Sequence, residues 1–439
     1  MRRILAQTLN YAPDEIGIPK YSTETADFLG QSNFAVRVVT APPYYPRWQV
    51  NDGYRAWWYQ RDHHNGIPLL RCPLYVPEKV TGAKRMLHLG SYGVSSAAPV
   101  LWQALRHRPH AMFATAPALT AAPATAVAAR AVGAVSFLHV QDFEIDIALQ
   151  MGLLKGGRAA SLLQAFERWV LRQFSYVSAP SPAMVRRLVE KGCAPERTFL
   201  FRNWGDTKAI HPRVDGRRWR ARHGIADHET VVLYSGNLAE KQGVFILIEA
   251  AREMQHKTSM RLVICGEGPT KAQLLNRAQG LNNVTILPLQ PAADLPELLA
   301  AADIHVLPQL PEADNLVLPS KLSGMLASGR PVVATVGPSS GIADEIAGGG
   351  RIVPPGDHQA LAQALIALGE DATQRNALGA RARQQAERNW DKEAILSGFM
   401  ERVHGAIDEN EQRLGRRPSR IVPSYALDTG SVSSRDEAA

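Results

Sequence analysis

The sequence predicts two Rossmann-like α/β domains facing a central cleft, and three observations carry that expectation. At 439 residues, 45% of them hydrophobic and 21% charged, the chain has a globular composition but is too long for one core, so two domains of about 200 residues each are expected. Short apolar runs of strand length alternate with helix-length stretches through both halves, the pattern of parallel sheets covered on both faces. Glycine-containing loops follow several of the runs, at the strand ends where such sheets bind ligands.

Taken in order, residues 3–9 form a first strand and lead to a helix after Gly17. Residues 34–40, 111–114, 134–139, 176–179 and 197–201 are further strand candidates. Between the second and third lies an irregular aromatic-rich insertion, 42–80, with Tyr44, Tyr45, Trp48, Tyr54, Trp57, Trp58 and Tyr59. The second half alternates more clearly: strands at 231–234, 261–265, 284–287, 304–307, 331–334 and 352–353, with helices between them. Gly, Asp, His and Pro cluster at 206–212, where a domain boundary is expected. The reading is therefore an N-terminal domain at 1–208, a C-terminal domain at 209–388, a helix at 389–412 crossing back to the first domain, and a disordered tail at 413–439, rich in Arg, Ser and Pro.

Several classes are disfavoured. Cys72, Cys193 and Cys265 are far apart and in no metal-ligand spacing, which argues against a disulfide framework or a zinc site and fits a reducing cytoplasm. The start reads as a strand rather than a secretion signal. The apolar region 111–140 is rich in Ala and Pro and broken by Arg130, so it reads as a buried strand and helix, not a membrane span. Residues 1–208 hold 24 Lys/Arg against 14 Asp/Glu, whereas the whole chain holds 49 against 41. A basic first half points to an anionic partner, either a phosphorylated substrate or an anionic membrane surface. No zinc-finger, RNP-like or repeated basic motif is present, so nucleic acid is not expected.

The loop Ser235-Gly236-Asn237-Leu238-Ala239-Glu240-Lys241 follows a strand and opens a helix, where free N–H groups and the helix dipole attract anions. Gly266-Glu267-Gly268 repeats the idea at the next strand end. Pro308 ends a third strand, and Pro319-Ser320-Lys321 starts the helix beyond it, with Ser320 placed to cap and Lys321 adding charge. Each could equally be an ordinary strand-to-helix turn; their gathering at one end of one sheet favours a site. In the first half, residues 10–21, with Gly17 and Lys20, lie where a Rossmann-like domain offers glycine to a phosphate, without the dinucleotide GxGxxG pattern. His139-Val140-Gln141-Asp142 puts a histidine and an acid at a strand end. A lone histidine is more often a satisfied core residue, but here the pair is a candidate for substrate binding or acid/base work.

Together these residues resemble retaining glycosyltransferases of the GT-B fold from bacterial polysaccharide assembly, closest to the colanic acid biosynthesis fucosyltransferases. The resemblance spans about residues 3–405. It rests on Asn10-Tyr11-Ala12-Pro13 with Gly17, Thr40-Ala41-Pro42-Pro43-Tyr44-Tyr45-Pro46, Arg71-Cys72-Pro73-Leu74-Tyr75, and His139-Val140-Gln141-Asp142. It rests equally on Asn203-Trp204, Tyr234-Ser235-Gly236-Asn237-Leu238 with Lys241, and Leu316-Val317-Leu318-Pro319-Ser320-Lys321. It implies a nucleotide-sugar donor, with GDP-fucose foremost, held by Gly236, Asn237, Lys241, Gly266, Glu267, Gly268, Pro308, Pro319, Ser320, Lys321 and Glu345, and approached by Gly17. It implies a lipid-linked oligosaccharide acceptor near Gly17, Lys20, Tyr44, Tyr45 and Asp142, on the cytoplasmic face of the membrane. His139, Asp142 and Lys241 are the implied catalytic residues, with no metal or other cofactor.

There are two departures. Relatives often carry Arg directly after the loop glycine, where this chain has Asn237. They also carry two acids eight residues apart, where this chain has Leu316 and Gly324; Glu312 and Asp314 lie nearby but out of register. The donor-side acid is therefore unassigned, which leaves a GT-B-like sugar-nucleotide epimerase or a non-catalytic sugar-nucleotide-binding protein as alternatives.

Overall fold

The computed structural model describes residues 1–15, 17–79, 81–150, 157–310 and 319–415. The N-terminal half folds as β1 (Arg2–Thr8), α1 (Ile18–Gln31), β2 (Phe34–Thr40), β3 (Gln60–His64), β4 (Ile67–Arg71), α2 (Gly82–His107), β5 (Ala111–Ala116), α3 (Ala122–Val132), β6 (Val135–Val140), α4 (Glu144–Gln150), α5 (Arg158–Leu171), β7 (Tyr176–Ala179), α6 (Pro182–Glu190) and β8 (Thr198–Leu200). The strand order is β3-β4-β2-β1-β5-β6-β7-β8. Every pairing is parallel except β3 with β4.

The second half continues with α7 (Arg217–Arg222), β9 (Thr230–Ser235), α8 (Phe245–Glu253), β10 (Met260–Cys265), α9 (Lys271–Arg277), β11 (Val284–Leu287), α10 (Leu295–Ala300), β12 (Ile304–Pro308), α11 (Lys321–Ala327), β13 (Val332–Thr335), α12 (Gly341–Ile346), β14 (Gly350–Val353), α13 (His358–Glu370), α14 (Ala372–Asn389) and α15 (Lys392–Arg413). Its sheet is wholly parallel, in the order β11-β10-β9-β12-β13-β14, the Rossmann arrangement with its reversal point between β9 and β12. Both expected Rossmann-like domains are present. Their strands are nearly continuous in buried apolar residues because helices cover both faces, as at Val231, Val232, Leu233 and Tyr234.

The insertion expected to be irregular contains the β3–β4 hairpin. Asn65 and Gly66 turn it with φ of 47° and 78°, the left-handed pair that a two-residue hairpin loop requires. The 26-residue helix α2 was not anticipated: its small residues and internal Pro99 blur the apolar period.

α15 returns to the first domain, burying Leu396, Phe399, Val403 and Ile407 in the same core as Ile4, Val36 and Phe137. Phe399 stacks on Phe201 with centroids 4.0 Å apart, and buried Arg2 pairs with Asp408. The two crossings between domains lie side by side: Gly205 N–H donates to Trp390 O at 3.0 Å, and Thr207 Oγ1 to Asp391 Oδ2 at 2.9 Å. Trp204 seals this joint from inside, edge-on to Tyr21 at 5.1 Å, with its indole N–H donating to Glu24. Trp204→Ala should cost about 3–5 kcal/mol through the cavity it leaves, measurable as a lower midpoint in urea unfolding.

Candidate active site

β9 and β12 are neighbours from which the chain leaves in opposite directions, so the loops beyond them part and open a crevice. Gly236 follows β9 with φ 150°. Its own N–H is spent on Cys265 O, at 2.9 Å, so any amide offered to an anion must come from further along the loop. The loop after β10 holds it in place. Leu238 N–H donates to Glu267 O at 2.8 Å, and Thr270 Oγ1 donates to Leu238 O at 2.8 Å. This is backbone against backbone: a Cβ on Gly266 would lie 2.0 Å from Gly236 O, and one on Gly268 2.2 Å from Leu238 O. Glycine is required at both positions by loop packing. Glu267 points outward and pairs with Lys271 at 2.6 Å.

Across the crevice α11 begins with Lys321. Its ammonium sits 4.1 Å above the centre of the Tyr234 ring, 3.3 Å from where a Gly236 Cβ would be. The Tyr234 hydroxyl donates to Asn237 O at 2.7 Å, fixing the ring beneath it. The residue as a whole is half-buried, but its ammonium is enclosed, and loss of hydration pushes it down to about 7. No carboxylate among the described residues lies within 4.0 Å of it. A cation held in this way favours an anionic ligand.

Ser320 does not cap the helix as expected. Its backbone is already helical, at φ −58° and ψ −26°, and its side chain makes no cap bond, because a capping side chain needs the extended backbone that lets it fold over the first turn. Pro308 ends β12 within the core, and Thr335 fixes the chain beyond it, accepting from Gln309 N–H at 2.9 Å. Pro319 is half-buried and Ser320 exposed. Lys241 lies in the short turn Glu240–Gln242 of the Gly236 loop; its side chain, like Glu312, Asp314 and Leu316, lies outside the described residues. Asn237 is exposed at the loop tip. Glu345, expected at the donor, is buried, and one carboxylate oxygen is taken by Arg202 of the first domain. That oxygen ties the domains together, while the other, Oε2, is buried with no hydrogen-bond partner among the described residues.

The equivalent reversal point of the first sheet lies between β1 and β5. There Gly17, Tyr44, Tyr45 and Asp142 come together with Asn10, Trp48, Arg85 and His88 around a pocket of about 360 Å³. Asp14 shapes the aromatic loop, accepting from the N–H of Tyr44 at 3.2 Å and of Tyr45 at 3.1 Å. His88 Nδ1 lies 2.6 Å from Tyr75 O and must carry the proton, so Nε2 accepts from the Tyr44 hydroxyl at 3.0 Å. Arg85 pairs with Glu144 and interacts electrostatically with Asp142. Lys20 stands on α1, its ammonium 5.9 Å from the Tyr21 ring, and is not among the residues lining this pocket. Trp48 packs inward on Tyr44 and His88, whereas Trp57 and Trp58 are exposed.

His139 does not join Asp142. Its ring lies on the α1 side of the sheet in a separate narrow pocket with Tyr21, Phe201 and Trp204, not in the Asp142 pocket. Nδ1 lies 2.9 Å from Ser178 Oγ, and burial pushes its pKa down to about 3. The residue is half-buried, and a ring that stays neutral near neutrality is placed for packing or a hydrogen bond rather than for proton donation.

A short chain of contacts joins the two walls. Gln141, beside Asp142, exchanges paired amide hydrogen bonds with Asn203, both at 2.9 Å. Two residues on, Gly205 abuts Ser323 of α11 so closely that a Cβ would lie 2.9 Å from the serine's. Asp142 and Lys321 are thus carried by segments that meet at the hinge. Arg85, His88 and Arg202 were not singled out from the sequence. For the first two the available signal was an acid-free helix-length stretch between Thr81, which caps α2, and Arg108.

Comparison with known proteins agrees with this geometry. Residues 17–204 match the model of the glycosyl transferase 4-like domain, and residues 229–371 that of the glycosyl transferases group 1. The colanic acid biosynthesis glycosyl transferase WcaI of Escherichia coli (strain K12) is 38% identical over 417 residues, covering 92% of this chain and 100% of that protein. The chain belongs to the group 1 glycosyltransferases. As a glycosyltransferase of the GT-B fold it also superposes on sucrose-phosphate synthase of Thermosynechococcus elongatus, with TM-score 0.71, 16% identity and coverage of 93% of this chain and 100% of the other. Anabaena Alr3699/HepE, solved with UDP and glucose, gives TM-score 0.64 at 18% identity, with coverage of 92% and 100%. At those identities the likeness is one of fold. No helix of the described residues is long and apolar enough to cross a membrane, and no cluster of three or more His, Cys, Asp or Glu among them could hold a metal ion.

Proposed function

We propose that this glycosyltransferase takes a sugar from a nucleotide sugar bound in the C-terminal crevice and transfers it, with retention of anomeric configuration, to a lipid-linked glycan held in the N-terminal pocket during exopolysaccharide assembly. The observation that carries the reading is the Lys321 ammonium, enclosed beside Gly236 over the Tyr234 ring. As the sugar–phosphate bond breaks, negative charge grows on the leaving diphosphate, and a preorganised cation in a dry crevice stabilises that state more than the ground state. Lys321 stands close to the loop where relatives carry an arginine and this chain carries Asn237. Lys241 adds a second positive charge on the same loop, so protein cations rather than a metal ion meet the diphosphate. Asp142, beside Arg85, faces the transferred sugar from the other wall. The resemblance to the fucosyltransferases makes GDP-fucose the leading donor, and the name of WcaI supports exopolysaccharide as the product class.

A thermal-shift panel of GDP-, UDP- and ADP-sugars tests this, since a selective ligand stabilises the folded state by mass action. GDP-fucose should raise the melting temperature most, with no dependence on EDTA, and an acceptor extract should then release GDP. Stabilisation without any release in the presence of acceptor would favour a binding protein. Conversion of the donor without acceptor would favour an epimerase.

A further inference from the structure

We infer that the outer face of α2, together with the tip of the aromatic loop before β3, docks on an anionic lipid membrane. One side of α2 packs into the domain through Leu89, Tyr92, Val100 and Ala104. The opposite side leaves Leu87, Val94, Leu101 and Leu105 exposed, Val94 at 81%. Their spacing of seven, seven and four residues puts them on one stripe along the helix. The aromatic loop extends the stripe sideways. Tyr59 donates its hydroxyl to Ser95 O at 2.9 Å, one residue from Val94, and the adjoining Trp57 and Trp58 are 74% and 57% exposed. An apolar surface that continuous marks an interaction site on a folded protein.

Charge selects the occupant. The 26 residues of α2 contain no Asp or Glu and carry Lys84 and Arg106, with Arg108 directly after the helix, besides Arg85, which is paired with Glu144. A second copy of this face would bring like charges together. An anionic bilayer accepts both features at once, taking the apolar stripe and tryptophans at its interface and the basic side chains at its headgroups. The placement also suits the acceptor: the first turns of α2 supply Arg85 and His88 to the Asp142 pocket, so the helix that carries the stripe also lines that pocket. Only this last step rests on the lipid-linked-acceptor reading; the docking surface does not.

The test is flotation of the full chain with vesicles of phosphatidylcholine alone or with phosphatidylglycerol added. The wild type should float with the anionic vesicles, lose binding as salt is raised, and stay unbound with phosphatidylcholine alone. A Val94→Asp, Trp57→Ser double variant should lose about tenfold or more in vesicle partition, and Lys84→Glu with Arg106→Glu should remove the lipid-charge preference. Both variants should keep the thermal shift given by the best nucleotide sugar, which separates failure of this surface from failure of the donor site. Three results would overturn the inference: wild type that does not float with anionic vesicles, a Val94→Asp, Trp57→Ser variant that floats equally well, or sedimentation showing a wild-type dimer that this variant dissolves, which would give the face to a second copy.

Discussion

Lys321→Met is expected to lower turnover by two to three orders of magnitude while leaving the melting temperature unchanged or raised. Removing one preorganised donor to a developing oxyanion costs about 2.7–4 kcal/mol in other transfer enzymes, or roughly 10²–10³ in rate. The fold loses nothing comparable, because the ammonium is enclosed, its proton is bound weakly, with a pKa pushed down to about 7, and methionine fills similar space without the desolvation cost. The same residue sets a pH dependence. In the free enzyme it is half-protonated near pH 7, and a bound diphosphate raises its affinity for the proton. Donor binding is therefore at full strength below that pH and weakens as pH rises through it, since a proton must then be taken up. Between about pH 7 and pH 9 the donor Kd should rise by up to tenfold per pH unit, and in Lys321→Met the profile should be flat. Calorimetric titration in buffers of different ionisation enthalpy measures the proton directly.

Gly266→Ala should be the most damaging single-methyl change in the donor domain. The new Cβ would stand 2.0 Å from Gly236 O, so the loops after β9 and β10 must separate. Overpacking of this kind costs about 1–3 kcal/mol or more. Because the displaced loop carries Gly236 away from Lys321, donor affinity should fall by at least about tenfold together with the melting temperature. Gly405→Ala is the control. It lies within α15 with nothing within 4 Å of its would-be Cβ, and should stabilise by about 0.5–1 kcal/mol.

The architecture was legible because a parallel sheet covered on both faces needs continuous apolar strands, and Val231–Tyr234 or Val332–Ala334 show them without ambiguity. The loop glycines were legible for the same reason, since they follow those strands. The Asn65-Gly66 turn was also readable but lay hidden among aromatics that resemble no regular period. α2 was not legible: Gly90, Gly93, Ser95, Ser96, Ala97, Ala98 and Pro99 dilute its apolar stripe, and with it went Arg85 and His88. The sequence nominated Lys321 from its place at a helix start, but the Tyr234 ring beneath its ammonium is a tertiary fact. The separation of His139 from Asp142 was not legible for a similar reason. Strand alternation puts Phe137 and His139 on one face and Leu138 and Val140 on the other, and only the packing of Phe201 and Trp204 shows that the first face lines a pocket separate from that of Asp142.

The central claim is that the donor diphosphate lies between the Gly236 loop and Lys321. A crystal structure of the enzyme with bound GDP or UDP tests it most directly. The account predicts phosphate oxygens within hydrogen-bond distance of Lys321 Nζ and of main-chain N–H groups beyond Gly236, with the base lying over the C-terminal sheet. A diphosphate bound instead in the Asp142 pocket of the first domain, with Lys321 still enclosed and untouched, would contradict it.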